Sequence, residues 1–80
     1  MEELIKEVKA IMNDLDTDCL IIDCCAYKVK GALLTHCYYN EETDKFHFTS
    51  GDMEEDKQAE EILVTYSQMK EILSEIIECY

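Results

Sequence analysis

Met1, Leu4, Ile5, Val8, Ile11, Met12 and Leu15 recur at the three- and four-residue spacing of one helical face, while Glu2, Glu3, Lys6, Glu7 and Lys9 take the other. This pattern predicts an amphipathic helix at the start of the chain. It runs out in Asn13-Asp14-Leu15-Asp16, where side chains that compete for backbone hydrogen bonds favour a cap or turn. Residues 19–28, rich in Ile and Cys, read as a first strand. Gly31 marks a turn, residues 32–39 a second strand, and residues 40–44 a polar loop. The alternation in Lys45-Phe46-His47-Phe48-Thr49-Ser50 predicts a third strand, broken by Gly51-Asp52.

The remainder has two readings. Residues 53–79 could form one long helix, giving an α-β-β-β-α order. However, Ile62-Leu63-Val64-Thr65-Tyr66 are strand formers, and Ser67 looks like an N-cap ahead of Met69, Ile72, Leu73, Ile76 and Ile77 at helical spacing. A helix of that length would span about 40 Å, longer than the sheet it should cover. The preferred reading is a fourth strand at 61–66 and a helix at 68–79. The predicted fold is α+β in two layers: a four-stranded antiparallel meander with an N-terminal and a C-terminal helix on one face, α-β-β-β-β-α. The whole chain, 1–80, is read as a single small acidic domain.

A turn at Lys30-Gly31 pairs Ile22 with Tyr39, Cys24 with Cys37 and Ala26 with Thr35. A four-residue loop at 41–44 pairs Tyr39 with Phe46 and Cys37 with Phe48. Leu20, Ile22, Cys24, Ala26, Cys37, Tyr39, Phe46 and Phe48 then face the helices. Ile21, Asp23, Cys25, Tyr27, Leu34, His36, Tyr38, His47 and Thr49 face away. Tyr27, Tyr38, Leu34 and Ile21 give that outer face enough apolar surface for contact with a partner or with a second copy as a homodimer.

Charge then directs the functional reading. The chain carries 19 Asp and Glu against 7 Lys and Arg, a net charge of −12. Direct nucleic-acid or anionic-membrane binding, which depends on basic side chains, is excluded as an expectation, and a basic partner is favoured. The meander places the segment before the first strand beside the loop between the second and third. Asp14, Asp16, Asp18, Glu41, Glu42 and Asp44 therefore crowd one pole with only Lys45 nearby. Asp52, Glu54, Glu55, Asp56 and Glu60, diluted by Lys28, Lys30 and Lys57, fall at the other. Asp14-x-Asp16-x-Asp18 is not an EF-hand loop, because Cys19 and Cys25 stand where its Gly and Glu belong.

The five cysteines show no CxxC spacing. Residues 1–20 hold no signal-like apolar run, and no segment approaches the length of a membrane span. These features predict cytoplasmic thiols. Cys24 and Cys37 are expected to be buried as small hydrophobes, and Cys79 to lie near an exposed end. Asp23, Cys25, His36 and His47 share the outer face and could ligate zinc. Cys25 opposite His36 could supply a thiolate. Ordinary polar strand residues account for the same set, so no metal, cofactor or enzymatic activity is expected. The leading expectation is a small acidic module that binds and inhibits a basic, nucleic-acid-binding partner through the acidic pole with Tyr27 and Tyr38. Phage anti-defence proteins, including anti-CRISPR nucleic-acid mimics, and toxin-immunity proteins share this size and charge. The alternatives are a homo-oligomeric structural domain whose charge serves solubility, and a metal-binding or thiol-reactive protein using Cys25, His36 and His47.

Overall fold

The apolar stripe of the N-terminal segment forms helix α1 (Glu2–Asp14), which buries Val8 and Met12. It ends in a reciprocal pair of backbone hydrogen bonds. The Asp16 N–H donates to Asn13 O (3.1 Å) and the Thr17 N–H to Met12 O (3.0 Å). Asp16 adopts a left-handed conformation (φ 52°) at the position where such a motif most often has glycine. Asp tolerates this region better than most residues. The computed structural model describes residues 1–51 and 59–80.

The chain continues through β1 (Cys19–Ile21), a 3₁₀ turn (Asp23–Cys25), β2 (Lys28–Val29), β3 (Ala32–Leu33), β4 (His36–Asn40), β5 (Lys45–Ser50), β6 (Glu60–Ile62) and helix α2 (Tyr66–Cys79). The main sheet is an antiparallel meander in the order β1-β4-β5-β6, and β2 with β3 forms a separate ribbon. The α-β-β-β-β-α architecture is as predicted. A single helix over 53–79 is ruled out by β6 and by the independent start of α2. Asp52, Glu54, Glu55, Asp56 and Lys57 of the second acidic pole lie outside the described residues.

Register is as expected in two places. Tyr39 pairs with Phe46 and Cys37 with Phe48. The ribbon turns at Lys30-Gly31, where both residues have positive φ, as a tight two-residue hairpin turn requires. The first strand differs. Leu20, not Cys24, pairs with Cys37, and Ile21 pairs with His36. Residues 22–27 stand opposite residues 34 and 35 alone, bracketed by hydrogen bonds from Ile22 N–H to Thr35 O (2.8 Å) and Leu34 N–H to Tyr27 O (2.9 Å). An unbroken strand would have turned only Cys24 and Ala26 inward at this point. The break leaves those two exposed and instead buries Val29 and Leu34 and packs Tyr27 against the core. Large side chains gain more by leaving water than Cys and Ala do, which favours the break. Leu34 and Tyr27 are thereby removed from the outer face predicted for them, and Leu34 is fully buried; Thr49 keeps its predicted pairing with His36 but is fully buried as well.

The break requires Ala26 to adopt a left-handed conformation (φ 51°). For a residue with a β-carbon this costs about 1–2 kcal/mol. Ala26→Gly should therefore raise stability by about 1 kcal/mol, read as a higher urea midpoint. A lower midpoint would contradict strain at this position.

Helix α2 starts two residues earlier than predicted. Thr65, not Ser67, is the cap. Its side chain accepts from the Gln68 N–H (3.2 Å), and Gln68 Oε1 accepts from the Thr65 N–H (2.9 Å). The box needs an acceptor three residues after the cap. Gln68 supplies one, whereas Lys70, three after Ser67, has none. Val8 and Met12 of α1, Ile72, Leu73 and Ile76 of α2, and Leu20, Cys37 and Phe48 of the sheet form one continuous core, with Ile22, Val29 and Leu34 closing it beneath the ribbon.

Candidate functional site

Three backbone devices fix the acidic pole. The α1 terminus presents Asp16. The Tyr39 N–H donates to Asp18 O (2.9 Å), tying the segment before β1 to β4. In the β4–β5 loop, Asn40 Oδ1 accepts from the N–H groups of Glu42 (2.9 Å) and Thr43 (3.4 Å), which sets the turn carrying Glu41 and Glu42. The backbone that carries these exposed carboxylates is thus fixed by the chain itself.

They surround two adjoining open grooves. Asp16, Asp18 and Glu41 line the first together with Lys9, Asn13 and Tyr39. Asp18, Glu41, Glu42 and Glu61 line the second with Tyr38, Tyr39 and His47. Asp18, Tyr39 and Glu41 belong to both, so the grooves form one surface with a half-buried tyrosine at its centre.

Asp44 does not contribute a free charge to this surface. Lys9 Nζ bonds its Oδ1 at 2.8 Å, and the Tyr39 hydroxyl donates to the same oxygen. Lys9 also lies 4.6 Å from the centre of the Tyr39 ring. The Lys9 ammonium, followed by the Tyr39 hydroxyl, holds the Asp44 carboxyl below its usual range, and Asp44 in turn raises Lys9. The groups are solvent-exposed, so the pair adds little stability. Its value is positional, because it links α1 to the β4–β5 loop. Lys9 joins the predicted Lys45, at the start of β5 beside Asp44, as a cation at this pole.

Asp14 is exposed at the last position of α1 and lines neither groove. Tyr27 also stands apart: its ring packs against the core and its hydroxyl donates to Glu71 Oε2 of α2 at 2.7 Å. Tyr38 remains at the site and stacks on His36, with ring centres 6.1 Å apart. Lys9, Glu61 and Tyr39 are groove residues that sequence reasoning missed; the sequence pattern assigns Tyr39 to the face that packs on the helices. Glu61 lies on β6 beside β5, and its Oε1 accepts from His47 Nδ1 at 2.5 Å. Its signal was present, since a paired fourth strand brings an acid at its start next to β5.

The proposed metal and nucleophile sets do not assemble. The break in the first strand places Ile21 opposite His36 and Cys19 opposite Tyr38, where Cys25 and Asp23 had been expected. His36 Nδ1 lies 2.8 Å from Thr35 Oγ1, and His47 is engaged with Glu61. Asp23, Cys25, His36 and His47 therefore form no common site. Cys24, predicted buried against Cys37, is exposed in the 3₁₀ turn, while Cys37 alone is enclosed by the core. Among the described residues, no helix is long and apolar enough to cross a membrane. Compared with known proteins, the chain matches no family model, no curated protein and no solved structure.

Proposed function

We propose that this protein is a small acidic binding module that engages a basic surface of a nucleic-acid-binding partner through the groove around Tyr39. The supporting observation is the convergence of Asp16 and Asp18, from the α1–β1 connection, and Glu41, from the β4–β5 loop, on one half-buried aromatic ring. Carboxylates carried on a fixed backbone accept charge-assisted hydrogen bonds from Arg and Lys. A tyrosine face adds an attraction for the same cations. Lys9 already makes this contact within the chain, poised over Tyr39 with its ammonium on Asp44. A cation from a partner would find the same chemistry at Asp18 and Glu41. Carboxylates presented in this way can occupy positions that otherwise hold phosphates, and the net charge of −12 would speed the encounter. The inhibitory role shared by phage anti-defence proteins, anti-CRISPR nucleic-acid mimics and toxin-immunity proteins is the functional counterpart of this design.

The test compares the immobilised chain with a charge-reversed variant, Asp16→Lys, Asp18→Lys, Glu41→Lys. The native chain should retain a nucleic-acid-binding protein in low salt. It should release that protein to competing DNA or RNA, and also in about 1 M salt, where the Debye length falls to about 3 Å. The reversed variant should retain none. Equal retention by both chains would sink this reading.

A further inference from the structure

The 3₁₀ turn and the last turn of α2 bring three thiols together from distant parts of the sequence. The sulfurs of Cys24, Cys25 and Cys79 all lie within 4.8 Å of one another, and Cys25 Sγ is 3.6 Å from Cys79 Sγ. The Tyr80 hydroxyl donates to Ile21 O at 2.6 Å, which holds the end of α2 against the segment entering the turn. None of the three cysteines lines the acidic groove. The cluster is a second feature, independent of the proposed docking surface.

The spacing is that of sulfurs sharing an ion. Zinc–thiolate bonds are about 2.3 Å long, so two sulfurs on one such ion stand about 3.8 Å apart in a tetrahedron and about 4.0 Å apart in a trigonal plane. The Cys25–Cys79 separation is close to these values, and the 4.8 Å limit on the other two lies within about 1 Å of them. Glu75 supplies a second observation. It lies one helical turn before Cys79, and its Oε2 is buried with no hydrogen-bond partner among the described residues. A buried carboxylate oxygen without a donor is costly, and a nearby cation offsets that cost. Thiolates are soft donors that select zinc or Cu(I) over magnesium and calcium.

We propose that Cys24, Cys25 and Cys79 form a three-thiolate site for one soft, thiophilic metal ion of the Zn²⁺ or Cu(I) type. Ligation converts three thiols to thiolates, so each ion bound releases three protons to solvent. Zinc would complete its shell with a water molecule, whereas Cu(I) would be satisfied by the three sulfurs.

The test uses the fully reduced chain under anaerobic conditions, titrated with Zn²⁺ against a chromophoric zinc chelator and, separately, with Cu(I) against a chromophoric Cu(I) chelator. Cys24→Ser and Cys79→Ser alter exposed side chains, and circular dichroism checks that both variants fold. Cys19→Ser removes a thiol outside the cluster. The native chain and Cys19→Ser should take up one equivalent of at least one of the two ions, and the arm that responds identifies it. Cys24→Ser and Cys79→Ser should each weaken that binding by more than about 100-fold, beyond the effect of losing an outer-shell partner. Uptake of neither ion by the native chain, or equal uptake by folded Cys79→Ser, would overturn the proposal.

Discussion

Phe48→Ala should remove a large share of the protein's stability. Phe48 is the largest fully enclosed side chain and lies on β5, paired with Cys37 on one side and Ile62 on the other. Removing a buried phenyl ring costs about 3–5 kcal/mol. A domain of this length commands about 4–12 kcal/mol in total. The ring has little chance of being replaced by collapse, because Val8, Ile72, Leu73 and Ile76 hold their places through two helices and not through a flexible loop. Urea denaturation followed by circular dichroism should show a midpoint lowered by roughly a quarter or more. A loss below about 1 kcal/mol would mean that the two layers do not share the continuous core described above.

The second large effect is a fall in stability at alkaline pH, governed by Cys37. Burial pushes this thiol far above its ordinary value of 9.0, with a smaller contribution from the Cys19 sulfur. In the unfolded chain the same thiol ionises normally. Its contribution to stability is therefore complete below about pH 9 and declines as the pH rises toward its folded value. The decline should be about 1.4 kcal/mol per pH unit from this group. Cys25 acts in the same direction, raised to about 12 mainly by burial and next by the Cys79 sulfur. Tyr27, raised by its bond to Glu71, and Tyr80, raised by burial, act likewise. Unfolding free energies measured between pH 8 and 11 should fall steeply in the native chain and less steeply in Cys37→Ala. The comparison is of slopes, so the cavity left by the substitution does not obscure it. Identical slopes would remove Cys37 as the cause.

Much of the architecture was legible because it depends on local pattern. The stripe from Met1 to Met12, the alternation around Phe48 and the Lys30-Gly31 turn each specify their own element. The break after Ile21 was not legible. Ile21-Ile22 and Cys24-Cys25 look like strand from their neighbours, and the decision rests on Tyr27, Val29 and Leu34 competing for the core across the ribbon. That competition is tertiary. It also explains why the Cys25–His36 pairing failed and why Cys25 came to rest beside Cys79. The acidic pole was legible for a different reason: topology alone decides which loops share an end, and Asp16, Asp18, Glu41 and Glu42 needed no side-chain detail. The reach of Lys9 across to Asp44 did need it, since a lysine on the polar face of a helix can meet many partners.

The meander order leaves β1 and β6 as its margins, and each is only three residues long. Glu60 and Glu61 lie on β6 itself, and Asp18 and Asp23 flank β1. A neighbouring chain seeking to continue the sheet would meet only a three-residue edge on either side, with carboxylates on β6 and next to β1. Two such margins from separate copies repel each other. Short, acidic edges of this kind disfavour self-templated growth of the sheet.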